Sequence, residues 1–345
     1  MSRPGTIVTR SRIVTLMAGV VSLSCALLWT PVAEAEKPST TPTATVEVYD
    51  DFGRTGYSLA DYEQKWSNPY GLGEMGLTDT RSFSRGAFKL SAVPFRTGAD
   101  FSVFDHLKYI AISNKSFAVP ASGSLEISST IRASTPGTEP GRVVHGTYIE
   151  SGAPYAEETL EGQQAGVVMN VIDFSTGQLF DWFVSGGTAF ALIERLPSNV
   201  TGNAPEGSPD YVGREKMYTQ IIREIPASPG THTVSIRINR DATGGSVDYF
   251  FDGKPIAHVD DVGVPLDAQG APYSGIYPSL GAGEDLSAKV NSVVIGHGLF
   301  SLLDAFPFQH PEAPELAVSI PLSERLFGQG ATGTFDDFRV KTVAR

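Results

Sequence analysis

Cysteine is almost missing from this sequence: Cys25 is the single one in 345 residues. It falls in a segment expected to be removed on export. The mature chain is therefore expected to hold no disulfide, no thiolate nucleophile and no cysteine-ligated zinc. Basic residues are scarce too, with 26 Lys and Arg against 38 Asp and Glu and a formal charge of -12. That balance argues against nucleic acid and anionic membrane as partners. After residue 35 no run is long and apolar enough to cross a bilayer. The phosphate loop Gly-x-x-x-x-Gly-Lys, His-Glu-x-x-His and Gly-x-Ser-x-Gly are all absent. Nucleotide-driven chemistry, zinc peptidase chemistry and the serine nucleophile elbow lose their usual marks.

The amino terminus carries a clear pattern. Arg3, Arg10 and Arg12 precede the apolar run 13–29, and Ala33, Glu34 and Ala35 supply small residues at cleavage spacing. This is the layout of a secretory signal over 1–35, and it predicts a secreted, extracellular protein. Cys25 follows Ser22, Leu23 and Ser24, which is not a lipidation box. Cleavage would remove three Arg and one Glu and shift the formal charge from -12 to -14. Residues 36–45 are Pro- and Thr-rich and read as a flexible leader. Residues 46–345 then read as one domain, long enough for a core that needs no disulfides.

The domain is organised around short runs of β-branched and aromatic residues closed by Gly, Asn, Asp or Pro. The central ladder comprises 166–174 (GVVMNVIDF), 178–184 (QLFDWFV), 188–196 (TAFALIERL), 231–239 (THTVSIRIN) and 246–259 (SVDYFFDGKPIAHV). Earlier strands are read over 46–52, 86–95 and 123–134; in the last, Leu125, Ile127, Ser129 and Ile131 share one face. Residues 57–66 read as a short helix or an ordered loop. Residues 135–165 and 199–217 read as long connections. Such apolar faces must be buried against a second layer, so the expected fold is all-β, an antiparallel two-sheet β-sandwich with long loops.

Glu126 within Leu125–Ile127, the run 232–239, the Asp252-Gly253 strand end and the closing run FDDFRV resemble the concanavalin A-like lectin and glucanase sandwiches, which include laminin G-like domains. That resemblance implies a jelly-roll fold and a carbohydrate ligand. GQQA (162–165), ERLPS (194–198), GHGLFSLLDAFPFQHP (296–311) and RLFGQG (325–330) resemble a family of secreted actinobacterial proteins of unknown function. Jelly-roll glucanases carry Glu-x-Asp-x-x-Glu on one strand; this chain lacks it, and the cluster Glu157, Glu158 and Glu161 lacks the Asp.

Four constellations remain. If Ser175, Thr176 and Gly177 form the turn and Phe174 faces Gln178, then Asp173 and Asp181 share a face and form an acid–base or cation-binding pair. The alternative is a pair of turn-capping carboxylates. In that register Asn170, Gln178 and Trp182 share the other face, as a sugar-binding surface or as core. His297 and His310 bracket a segment in which Leu299, Leu303 and Phe306 recur at helical spacing and Pro307 ends the helix. The histidines there are a catalytic or metal pair with Asp304 or Glu312, or are hydrogen-bonded within a helical plug. Finally, YDDF at 49–52 echoes FDDF at 335–338, so the chain ends are expected to pair as antiparallel strands. Asp50, Asp51, Asp336 and Asp337 would then gather as a site for a structural calcium, the one cofactor the sequence offers.

The leading functional expectation is a lectin-like protein that binds carbohydrate without catalysis. A polysaccharide hydrolase or lyase is the alternative, and an enzyme on a small hydrophobic molecule the third.

Overall fold

The computed structural model describes residues 43–53, 55–70, 80–98, 102–276, 279–304 and 312–345. The proposed signal segment lies outside them, as does His310. Within them the apolar runs form two large antiparallel sheets, of eight and nine strands, in the expected jelly-roll sandwich. In the first sheet, Lys254–Val259, Gly245–Phe251, Thr231–Arg240, Gly123–Ser134, Ala331–Ala344, Ala87–Ala92 and Arg81–Ser84 lie side by side. The second sheet orders Ser274–Gly275, Tyr218–Pro226, Thr188–Arg195, Gln178–Val184, Gly166–Asp173, Ser292–Phe300, Leu107–Ser113 and Trp66–Ser67.

The chain ends pair as expected. Thr43–Asp50 runs antiparallel to Ala331–Ala344, with Val46 opposite Lys341, Val48 opposite Arg339 and Asp50 opposite Phe338. The first strand starts three residues ahead of the expected boundary, so residues 43–45 of the leader belong to the sheet. Residues 57–66 contain the helix Leu59–Lys65, capped by Ser58 and Asp61 in a reciprocal box.

Three expectations change. The connection 135–165 carries a hairpin, Val143–Tyr148 with Pro154–Glu158, joined by Val318–Ser319. Tyr218–Pro226, which follows the connection read over 199–217 and is not among the expected strands, is a strand of the second sheet. The helix expected around Leu299 is instead the strand Ser292–Phe300, inserted between Gly166–Asp173 and Leu107–Ser113. Its Gly-His-Gly-Leu alternation has period two: His297 and Leu299 face the core, and the glycines face away. A Cβ on Gly298 would lie 2.0 Å from the Tyr109 carbonyl oxygen, so only glycine admits the neighbouring strand there.

The sandwich core lies between the sheets. Val167, Met169, Val171, Phe180, Trp182 and Val184 meet Ile127, Val234, Ile236, Tyr249, Phe335 and Phe338. The central strands Gly166–Asp173 and Gln178–Val184 are nonetheless buried along their whole length. Their outer face carries Val168, Ile172, Leu179 and Phe183 in a second apolar cluster, which loops cover. Burial on both faces explains why these strands read as near-continuous apolar runs.

Candidate functional site

Register decides which polar residues meet. Gly177 takes a left-handed φ of 74° and closes a four-residue turn in which Asp173, not Phe174, stands opposite Gln178. That one-residue slip sends every side chain of the partner strand to the other face relative to expectation. Asp173 and Asp181 therefore lie on opposite faces and form no pair. Asp173 caps its turn, accepting from Ser175 N at 2.9 Å, Ser175 Oγ at 2.6 Å and Thr176 Oγ1 at 2.9 Å.

The sugar surface expected from Asn170, Gln178 and Trp182 is also divided. Trp182 is fully buried in the core, donating through Nε1 to Ser235 O at 3.1 Å and packed on Tyr249 and Phe251. Gln178 is buried on the same side and accepts from Tyr218 OH at 3.0 Å. Asn170 faces the other way, with Asp181.

The remaining described candidates are held in structural contacts, and His310 lies outside the described residues. His297 is buried among Trp66, Phe88, Phe335 and Phe338, with Nε2 2.8 Å from Tyr62 OH. Burial lowers its pKa to about 3, so it is neutral. Asp304 forms buried ion pairs with Lys108 and Arg325, and Glu312 accepts from Tyr211 OH. Asp50 accepts four hydrogen bonds: Oδ1 from Phe52 N and Lys65 Nζ, Oδ2 from Tyr57 OH and Trp66 Nε1. A carboxylate has about four lone-pair sites, so Asp50 has none left for calcium. Asp51 accepts from Gly53 N and Asp337 from Arg339 Nε. Asp336 is shifted upward by burial, with repulsion from Asp337 and Asp51 adding to it. The four carboxylates thus do not fit a calcium shell. Among the described residues no group of three or more His, Cys, Asp or Glu is placed to hold a metal ion.

What the tertiary structure assembles instead is a polar row on the outer face of the second sheet. Asn170 stands directly opposite Asp181, and its Nδ2 donates to Asp181 Oδ1 at 2.6 Å. Glu194, on the next strand, lies opposite Leu179 and is a diagonal neighbour of Asp181; such positions are roughly 7–8 Å apart. Thr219, opposite Glu194, donates from Oγ1 to Glu194 Oε2 at 3.1 Å. Gly296 faces Asn170 from the other side; a Cβ there would come within 3.0 Å of Asn170 Oδ1, so the bare backbone leaves the amide its place.

Above this row is an apolar pocket of about 70 Å³, in which Asn170 and Glu194 are the polar floor. Ile110, Ile172, Leu179, Leu196 and Phe300 form walls. The rim is aromatic: Tyr70 stacks on Phe104 at 5.1 Å, and Phe174 is 39% exposed. Asn170 Oδ1 and Asp181 Oδ2 are buried and have no hydrogen-bond partner among the described residues. Burial, and then the Glu194 charge, push the Asp181 carboxyl well above the ordinary range. Burial likewise raises Glu194 to about 7, against the hydrogen bond from Thr219. His106, also lining the pocket, is lowered to about 4 by burial and is neutral. Sequence reasoning overlooked Glu194. Its signal was present: an acid in step with Phe190 and Leu192 on the same face of an otherwise apolar strand.

The chain belongs to DUF6081, a family of unknown function whose model matches residues 72–344. No curated protein matches the sequence. Several solved structures are similar to this chain at low identity. An endo-1,3-beta-glucanase from Streptomyces sioyaensis is 10% identical, with a TM-score of 0.46 over 90% of this chain and 100% of its own. The laminarinase catalytic domain from Thermotoga maritima MSB8 is 9% identical, with a TM-score of 0.37 over 87% and 97%. The Emp46p carbohydrate recognition domain, in its metal-free form, is 6% identical, with a TM-score of 0.34 over 86% and 95%.

Proposed function

From its membership of a family without known function, we propose that this protein is a secreted carbohydrate-binding sandwich whose ligand enters the aromatic-rimmed pocket over Asn170, Asp181 and Glu194. One observation carries the reading: a buried acceptor oxygen, Asn170 Oδ1, has no partner among the described residues and lies beneath aromatic side chains. Sugars offer hydroxyl donors to such acceptors and apolar C–H faces to such rings. The amide is oriented for this. Because Asn170 Nδ2 is engaged by Asp181, its Oδ1 is the atom left for a ligand donor.

The same geometry argues for binding rather than hydrolysis. Glycosidic cleavage needs two carboxyl groups flanking one bond. Only Glu194 reaches the pocket surface, while Asp181 is sealed beneath it at 1% exposure. The largely apolar walls favour a second reading, a small apolar molecule anchored through one polar group.

A glycan array and calorimetric titration of the full chain test the proposal. At least one glycan binds, Asn170→Ala and Glu194→Ala weaken it by about tenfold or more, and no polysaccharide is digested. Binding that survives both substitutions, or turnover of a glycan, overturns it. Export is tested separately by intact mass: the secreted chain begins near Glu36.

A further inference from the structure

The pocket floor has an unusual charge balance. Two carboxyl groups, the buried Asp181 and the half-buried Glu194, face the same side of the second sheet, and among the described residues neither is ion-paired. Their hydrogen bonds come from an amide and a hydroxyl, both neutral. Among the described residues no Lys or Arg lines the pocket, and His106 there is neutral. Two polar atoms have no partner among the described residues: Asn170 Oδ1, which lines the pocket, and Asp181 Oδ2, which lies beneath it and is an acceptor when Asp181 is ionised. Around them stand apolar walls and the aromatic rim of Tyr70, Phe104 and Phe174.

Buried carboxylates without a counter-charge are costly, and they normally acquire a proton or a cation. A ligand that brings the cation supplies donors and charge together. Aromatic faces at the mouth add cation–π attraction for the same ligand. A small pocket with apolar walls admits the cation only on an organic body. We infer that the group reaching this floor is a protonated amine, so that the ligand class is an organic cation: an amine carried on a sugar ring or on a small apolar skeleton. The inference rests on the pocket proposed above as the ligand site, and it assigns that site a charge.

Matched pairs that differ only in the amine test it: the glucosamine tetramer against cellotetraose, and benzylamine against benzyl alcohol. They are titrated calorimetrically into the full chain at pH 8 and moderate salt. The amine binds at least about tenfold more tightly than its neutral partner in at least one pair, as a charge-assisted hydrogen bond in a desolvated site should give. Glu194→Gln, which keeps the shape and the Thr219 contact, removes that preference. Asp181→Asn serves as a second variant if the first folds poorly. Equal affinities within both pairs, no binding by any of the four, or a preference that persists in both variants overturns the inference. The two proposals fail differently. Equal binding by the two tetramers, with no benzylamine preference, removes the amine and keeps the carbohydrate. A benzylamine preference with neither tetramer bound keeps the amine and removes the carbohydrate.

Discussion

The sharpest test of the buried carboxyl row is the pH dependence of stability after Glu194→Gln. In the folded chain Glu194 titrates at about 7, against an ordinary value of 4.5. From about pH 4.5 to pH 7 the folded state keeps a proton that the unfolded chain has already released. Stability therefore falls as pH rises through that window and levels off above it. Each unit is about 1.4 kcal/mol, so this side chain alone costs on the order of 3 kcal/mol at pH 8 relative to pH 4. Asp181 shifts in the same direction and adds to the slope. The groups beside the pair on its own face are Asn170 and Thr219, with neutral His106 in the pocket, and Tyr218 and Tyr249 lie across the sheet; none of them supplies a cation. The glutamine side chain keeps the size and an acceptor for Thr219 but cannot ionise. Urea unfolding of wild type and E194Q at four values between pH 5 and pH 8 reads the effect, together with the smaller relief of Asp181 once the Glu194 charge is gone. The variant should gain stability over wild type progressively above pH 5, approaching about 3 kcal/mol at pH 8. Parallel profiles would refute the claim that Glu194 is desolvated.

Other outcomes follow from the same structure. Asp50→Ala strips the acceptor from four donors, including the Lys65 ammonium and the Trp66 indole, and should cost about 3–5 kcal/mol in urea unfolding. Because those donors saturate Asp50, thermal melts with calcium and with a chelator should coincide; a rise of several degrees with calcium would restore a metal site at the chain ends. Lys108→Met takes one cation from the buried Asp304 carboxylate and leaves it to Arg325. It should destabilise by several kcal/mol, whereas a double change that also removes the Asp304 carboxylate should recover part of the loss. Gly298→Ala, whose Cβ would meet the Tyr109 carbonyl, should prevent normal pairing of its strand and lower expression of folded protein.

Much of the sandwich was legible in the chain because strand-forming runs declare themselves locally. The strand Gly123–Ser134 has the bounds and the buried face that alternation assigns, with Leu125, Ile127, Ser129 and Ile131 all inward. The pairing of the chain ends was legible through the echo of YDDF and FDDF. The segment 292–300 misled because Leu299 and Leu303 happen to fall at helical spacing, while its glycines conceal the strand's second face. Glycine contributes no hydropathy signal, yet here it is what lets the strand pass close to Tyr109 and Asn170.

The sequence alone determined the fold class, the scarcity of thiols and the acidity, since each depends on composition or on neighbours a few residues apart. Only the tertiary structure decided which polar residues share a site. A turn of four residues rather than three separates Asp173 from Asp181 and turns Trp182 inward. It brings Asn170 to Asp181, and Glu194 joins them from a strand whose register is set by its own neighbours. Because side chains alternate with a period of two, one residue of register moves a whole strand's chemistry from one face to the other. Local propensity does not constrain that choice; the packing of one complete sheet against the other does.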